Sequence, residues 1–546
     1  MNIGFKESLT VEFKSDRNLL KEEEIIEAVV AFANTEGGDL YIGVENNGEV
    51  TGLHKKRKDI AQLAALIANK TVPPMPVITE LIENENPFIR IAVSKCTSIV
   101  STSSGKMLRR RIKADGEPEN IPMYPYEIAT RLTGLRLLDY SAQPVPESSY
   151  SDLSAVERER VREIIRTYRG EQALLELTDE EFDKALQFVT NINGDIVPTF
   201  TGLLMIGKSE RIRELMPTAE SAIQVLDGTD VKVNESYFSP LPASFERING
   251  YFNAWNSEEE MELGLYRVAI PKVDKRAFRE ALVNAFCHRD YSVLGRVRVQ
   301  IENEGLTITN PGGFVEGITI DNLLYAEPQG RNPVLANALK RIGLAERTGR
   351  GIDRIFEGSL LYGKMLPDYS GSTSSLVKLF IPNSIPDKIF VHMISDEQKR
   401  LGRPLPLNSL LILNYLKTVH KATVKELTEE INADSSRVKV GVESLVESGL
   451  VEAKGFGRGR YYQLSPKVYK KNDNAVGYVR QTDIEKMRYE ELVLKLVDEQ
   501  GYITRANAVE LFHLSPPQAY RVLQKLNENG KIKLVGKGKS AKYIKA

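Results

Sequence analysis

The sequence predicts a multidomain α+β protein, and three observations carry that expectation. Its 546 residues are too many for one core and suggest three to five domains. Strand-like alternation and helical periodicity are interleaved in residues 1–140 and again in residues 271–385. The last two segments, 400–466 and 485–546, repeat one another. Subtracting 81 lays Thr504 on Thr423, Phe512 on Ile431, Leu523 on Val442, Leu526 on Leu445, Gly530 on Gly449, Ile532 on Val451 and Tyr543 on Tyr462.

With 42% apolar and 27% charged residues the chain has the balance of an ordinary globular protein, and its formal charge of −1 means that any nucleic-acid surface must be local. Cys96 and Cys287 are the only cysteines, which excludes a disulfide framework and a cysteine-rich zinc site and fits a reducing cytoplasm. No apolar run approaches the ~20 residues of a membrane helix. The start also lacks the apolar core of a signal peptide.

In the first segment, Glu7 to Lys14 alternates as a strand, Glu22 to Asn34 has helical spacing, and Thr35-Glu36-Gly37-Gly38 turns into a strand from Asp39 to Val44. Asn46-Asn47-Gly48 is a hairpin signal. On their own, Glu12 and Lys14 would share a solvated strand face, with Glu7 exposed before it. Lys14, the run Lys55-Lys56-Arg57-Lys58 and the cluster Arg109, Arg110, Arg111 and Lys113 are phosphate-binding candidates or ordinary solvated loops. A last helix is expected from Tyr126 to Leu138, and Ser141 to Ser149 reads as a linker.

The pattern Glu7-x4-Glu12-Phe13-Lys14, Phe32-Ala33-Asn34-Thr35-x-Gly37-Gly38 and Ile42-Gly43-Val44 resembles the Schlafen-type, AlbA-like domain. The resemblance implies binding of DNA or RNA, or a magnesium- or manganese-dependent endoribonuclease whose acidic triad uses Glu7 and Glu12. Nuclease members carry paired acids after Ile-Gly-Val; here Glu45 is followed by Asn46.

Residues 150–270 carry no catalytic constellation and read as a connecting α+β domain. Helices are expected over Ala155–Tyr168 and Thr178–Val189, the latter capped by Thr178 with Glu181 three residues on. Residues 198–207 are a buried helix or strand, and Phe245–Asn253 and Glu258–Leu263 carry helix pattern.

In residues 271–385, Phe278, Leu282, Ala285 and Phe286 recur at helical spacing and leave Glu280, Asn284 and, less closely, His288 on another face. A carboxylate one turn before an amide can polarise water while the amide helps to hold a hard cation; an amphipathic helix with a solvated face is the alternative. Gln300 to Ile308 reads as two strands about a turn that runs into Asn310-Pro311-Gly312-Gly313, and Arg347 to Ile355 opens a helix with Gly349 and Gly351, a plausible phosphate-binding start. In this order the motifs resemble the N-box and two glycine boxes of the GHKL ATPase fold, an α/β sandwich, in its divergent RecG-related version. The resemblance implies ATP and magnesium, with Glu280 as general base, Asn284 on the metal, and Gly312, Gly313, Gly349, Gly351 and Thr373 near the nucleotide. Asn310 stands where the usual family has an aspartate that accepts from the adenine amine.

Each carboxyl-terminal copy reads helix, helix, turn, helix and hairpin, which resembles the winged helix-turn-helix. Ser435–Ser448 is the first candidate recognition helix, with Arg458 and Arg460 in its wing; Lys537, Lys539 and Lys542 are basic in the second. DNA contact and protein–protein contact are both open to such modules. Three functions follow: an ATP-sensing, nucleic-acid-binding regulator that acts as a homo-oligomer; a Schlafen-like endoribonuclease of RNA in defence or stress; or a non-catalytic DNA-binding scaffold on a degenerate ATPase fold.

Overall fold

The computed structural model describes residues 3–57, 60–135, 137–263, 266–345, 349–465, 493–494, 497–498, 501–512, 516–536 and 541–546. Two units separate in it. One comprises Met1–Ser257, Lys272–Ile355 and Pro367–Asn383; the other comprises Glu258–Pro271, Phe356–Leu366 and Ser384–Ala546. Mixed α and β structure runs through both. Among the described residues no helix is long and apolar enough to cross a membrane.

The first unit begins with β1 (Val11–Lys14), α1 (Glu22–Ala33), β2 (Gly38–Ile42), α2 (Ile60–Lys70), β3 (Thr71–Val72), β4 (Val77–Ile82), β5 (Phe88–Val93), β6 (Ser101–Thr102), β7 (Leu108–Ile112), β8 (Pro118–Pro122) and α3 (Pro125–Gly134). The sheet order is β1-β2-β5-β4, with only β1 and β2 parallel, and β7–β8 forms a separate hairpin. Strand β1 is shorter than the alternation from Glu7 suggests, because Ser8 and Val11 close a tight turn on one another. Eight successive or near-successive residues of α1, from Ile25 to Ala33, are buried, so this helix is the centre of the domain core.

The Phe-Ala-Asn-Thr-x-Gly-Gly run after α1 is structural. Asn34 is buried, donates to the carbonyls of Val100 (2.7 Å) and Leu108 (2.9 Å), and accepts from Val100 N–H at 2.8 Å. Thr35 Oγ1 accepts from Arg110 N–H at 2.9 Å. Gly37 has φ +73°, and a Cβ there would lie 2.7 Å from the Val93 carbonyl oxygen, so only glycine lets the chain pass the sheet edge.

Next come α4 (Ala155–Thr167), α5 (Asp179–Ala185), β9 (Val189–Ile192), β10 (Asp195–Pro198), α6 (Phe200–Ile206) and α7 (Ser209–Leu215). Thr178 and Glu181 form the expected capping box on α5. The ambiguous stretch 198–207 is largely helix, with every residue of α6 buried. Arg158 in α4 makes a bidentate pair with the fully buried Asp183 of α5 (2.9 and 2.7 Å), which ties the two helices. The segment read as a linker is docked at its start: Ser141 is fully buried, and its carbonyl accepts from Thr201 Oγ1 at 2.9 Å.

The remaining elements before residue 384 are β11 (Ser221–Asp227), β12 (Asp230–Tyr237), α8 (Leu241–Trp255), β13 (Glu258–Leu263), β14 (Tyr266–Pro271), α9 (Lys275–His288), β15 (Val297–Glu302), β16 (Gly305–Pro311), α10 (Pro333–Arg341), α11 (Gly351–Leu360) and β17 (Leu376–Pro382). Five strands form a mixed sheet in the order β12-β11-β15-β16-β17, parallel only between β11 and β15. Helix α9 packs on β16, and Phe278 stacks on Phe252 of α8 at 3.8 Å and 8°. Such a pair adds about 1 kcal/mol beyond the area it buries.

In the second unit, Glu258–Leu263 is a strand and not the helix its pattern suggested. It pairs antiparallel with β14, and Met261 is buried; this pairing and burial override the helix preference of its glutamates. There follow α12 (Lys388–Leu401), α13 (Leu407–Val419), α14 (Val424–Ile431), α15 (Ser435–Glu447), β18 (Val451–Lys454), β19 (Tyr461–Leu464), α16 (Arg505–Phe512), α17 (Pro516–Glu528), β20 (Ile532–Val535) and β21 (Lys542–Lys545). The last four elements have the limits of α14, α15, β18 and β19 displaced by 81 residues. The bridge Ala422–Tyr462 recurs as Ile503–Tyr543, the buried Val438, Val442 and Leu445 recur as Ala519, Leu523 and Leu526, and the capping Thr423 recurs as Thr504.

Candidate functional site

A cavity of about 380 Å³ lies in the first unit on the face of the five-stranded sheet. Ile308 and Asn310 of β16 and Val377 and Leu379 of β17 form its floor, because alternate residues of paired strands share a face and Asn310 pairs with Val377, Ile308 with Leu379. Helix α9 forms one wall with Glu280, Asn284 and His288, one turn apart in succession. Segment 313–330 and α10 close other sides, and α11 begins at the rim.

Glu280, Asn284 and Gly351 meet. A Cβ on Gly351 would lie 3.2 Å from Glu280 Oε2 and 3.5–3.6 Å from the Asn284 amide, so the absence of a side chain lets the N-terminus of α11 approach both groups. That end of a helix presents backbone N–H groups and a positive partial charge. Glu280 is 2% exposed, and Arg279 lies 3.4 Å from its carboxylate. Gly349, at φ +75°, lies against Pro328, with which a Cβ would collide at 2.6 Å. Burial, reinforced by the charges of Arg331 and Lys340, pushes the His288 imidazole down to about 4, and burial raises the Cys287 thiol to about 12. Both are therefore neutral near pH 7.

The two residues of the first glycine turn differ in role. Gly313 lines the cavity, whereas Gly312, at φ +91°, faces away from it: a Cβ there would lie 2.7 Å from Asp290 Cβ. Beneath this turn the buried Arg331 bonds Asp290 at 3.2 Å and the Gly313 carbonyl at 3.0 Å, while Asn332 donates to the carbonyls of Cys287 and Arg289 and so closes the end of α9. Thr373 is outside the cavity: its hydroxyl bonds Ser375 on an exposed turn, and only its backbone touches the place of a Gly313 side chain. Sequence reasoning missed Lys340, which lines the cavity from α10 and has no ion-pair partner among the described residues. Its position with Asn337 at i, i+3 on that helix was the available signal.

Segment 313–330 also touches the amino-terminal domain. Glu316 pairs with Arg131 of α3 at 2.7 Å and with Lys95 at 3.5 Å, and Thr130 Oγ1 lies 3.0 Å from Ser292 Oγ.

Of the three amino-terminal carboxylates, Glu7 and Glu12 lie close enough to repel one another, and neither acts on Glu45. Glu12 is 5% exposed and is held by the Arg110 guanidinium, by Asn120 Nδ2 at 3.1 Å and by Lys14 at 3.0 Å. Glu7 accepts from Phe13 N–H at 2.7 Å, and burial raises its pKa, with repulsion from Glu12 adding to that. Glu45 accepts from Thr51 at 2.7 Å and Ser15 at 2.8 Å and pairs with Arg17 at 3.2 Å. Among the described residues no three acidic, histidine or cysteine groups could hold a metal ion. The cation expected here does not fit, because Arg110 and Lys14 already neutralise Glu12.

The expected basic surface is also altered. Arg110 points inward, 3% exposed, over the Phe32 ring and onto the Ser8 and Val11 carbonyls. Arg57 is tied to Asp16 at 2.9 Å and to the Leu20 carbonyl at 2.7 Å. Arg109, Arg111 and Lys113 pair with Glu127, Glu119 and Asp115. Lys55 and Lys56 are exposed. In the repeated domains Arg460 pairs with Glu443 at 3.1 Å, and Lys542 lies over the Tyr502 ring. Lys58, Lys537, Lys539 and the Arg458 side chain fall outside the described residues.

Comparison with known proteins matches three stretches of the chain. Residues 7–116 match the family model described as Schlafen, AlbA_2; residues 137–222 match a domain of unknown function, DUF8451; and residues 295–380 match the model described as putative ATP-dependent DNA helicase recG C-terminal. The first and last fall within the two regions that the motif pattern singled out, the last beginning after Glu280 and Asn284, so the chain carries a Schlafen/AlbA_2 segment ahead of a RecG-type segment. No curated protein matches the chain. Among solved structures, the DIP2311 protein from Corynebacterium diphtheriae shares the fold at TM-score 0.50 and 18% identity, over 98% of this chain and 95% of that one. The mRNA-binding domain of elongation factor SelB from E. coli, in complex with SECIS RNA, aligns at 13% identity over 26% of this chain and 98% of that one, with a TM-score of only 0.13.

Proposed function

We propose that this Schlafen/AlbA_2- and RecG-type chain is a nucleic-acid-binding regulator whose cavity takes ATP with magnesium and reports occupancy to the amino-terminal domain. The observation that carries the reading is the meeting of Glu280 and Asn284 with the first residue of α11 over an open cavity. A helix start faces anions well, and Lys340 adds a cation on the same cavity. Magnesium carried by a triphosphate needs only one or two protein oxygens, and Asn284 would supply one; bound there, it would neutralise phosphate charge. Glu280, buried beside the rim, is the group placed to take a proton from an attacking water.

Glu316 supports a route to the amino-terminal domain. It belongs to the segment that walls the cavity and is held by Arg131 and Lys95, so a shift of that segment on binding would alter two ion pairs to that domain. The exposed Lys55 and Lys56, and the repeated carboxyl-terminal domains read as winged helices, are the candidate nucleic-acid contacts. The ribonuclease alternative has less support, since Glu12 is consumed by Arg110.

The test is fluorescence anisotropy of labelled DNA and RNA with and without ATP and magnesium. The reading expects a change of about fivefold or more in affinity, lost in Arg131→Met while nucleotide binding persists. Equal affinity with and without nucleotide would contradict it.

A further inference from the structure

We infer that Asn310 makes the cavity accept 6-amino and 6-oxo purine nucleotides alike; the inference rests on the nucleotide reading of this cavity. Asn310 is 3% exposed and sits on the apolar floor beside Ile308 and Val377. Its Nδ2 makes one long contact, 3.5 Å to the carbonyl of the next residue, Pro311. Among the described residues its Oδ1 has no hydrogen-bond partner. Neither end of this amide is committed to a protein partner at good distance, so both face the cavity ready for a ligand.

The chemistry of the amide sets the specificity. A carboxylate accepts only, and so, set against the 6-substituent of a purine, favours an amine there over a carbonyl; an amide offers one acceptor and two donors side by side. Turned one way, Asn310 accepts from the adenine amine and donates to ring N1. Turned by half a rotation, it donates to the guanine carbonyl and accepts from N1–H. Two rotamers of one side chain therefore complement both edges, and the apolar floor around it gives a flat ring a surface without preference between them.

ATP and GTP, matched in ring size and triphosphate, are the probes. Competition of each against a fluorescent ATP analogue on the full chain with magnesium should give affinities within about tenfold of one another, a gap under roughly 1.4 kcal/mol. Asn310→Asp should retain ATP and lose at least tenfold in GTP affinity relative to ATP. ATP binding more than tenfold tighter than GTP in the unaltered protein overturns this inference and leaves the nucleotide reading standing. Failure of every triphosphate to compete removes both. The comparison in the unaltered protein requires no variant to fold, so a misfolded Asn310→Asp does not rescue the idea.

Discussion

The carboxylate of Asp139 accepts a hydrogen bond from the backbone N–H of Val334 at 2.9 Å, across 195 positions of sequence. Ser141 Oγ accepts from the next N–H, that of Leu335, at 3.2 Å. Helix α10 has no local side-chain cap: Asn332 donates Nδ2 to the carbonyls at the end of α9, and its Oδ1 has no partner among the described residues. The segment leaving the amino-terminal domain therefore supplies the cap of a cavity-lining helix. Asp139→Ala should cost about 1 kcal/mol in urea denaturation, the usual scale of a lost N-cap. An unchanged midpoint would show that the contact carries no stability.

Glu12 and Arg110 form a buried pair, and removing one partner strands the other. Glu12→Ala should destabilise the chain by about 3 kcal/mol or more, whereas the joint replacement Glu12→Leu with Arg110→Met should recover much of the loss. If Glu12→Ala unfolds at the same denaturant concentration as the unaltered protein, Glu12 is not a structural anchor and the metal reading regains its footing.

His288 sets a pH dependence. Its imidazole lies at about 4 in the folded chain, below the ordinary 6.5, so below pH 6.5 the unfolded chain binds a proton that the folded chain does not. Its contribution to stability is full above pH 6.5 and is lost as pH falls through 4. His288→Gln should flatten the decline of denaturation midpoint over that window. An identical slope in the variant would assign the decline to other groups.

How legible this was in the sequence varied with the range of the forces involved. The repeat was legible down to helix limits, because hydrophobic spacing and caps are local and recur together. Glu280, Asn284 and Gly351 were legible as motifs, and the fold brings them to one place. Arg110 was misread as a phosphate contact because a run of three arginines on a strand must alternate faces, and only tertiary pairing says which one turns inward. Glu258–Leu263 was misread because a glutamate-rich run has helix propensity, while its pairing with β14 is non-local. Asp290, Arg331 and Asn332, which frame the glycine turn, had no signal at all, since their contacts are spread over about forty residues of sequence.

Calorimetric titration of ATP with magnesium into the full chain tests the central claim most directly, with Gly351→Val as the companion. A Cβ at that position already presses on Glu280 and Asn284, so a branched side chain should close the approach of α11. One nucleotide bound per unaltered chain, and none in a Gly351→Val variant whose melting temperature without nucleotide is preserved, is the predicted result. Equal binding by both proteins, or no binding by either, would contradict the claim that this cavity holds a triphosphate.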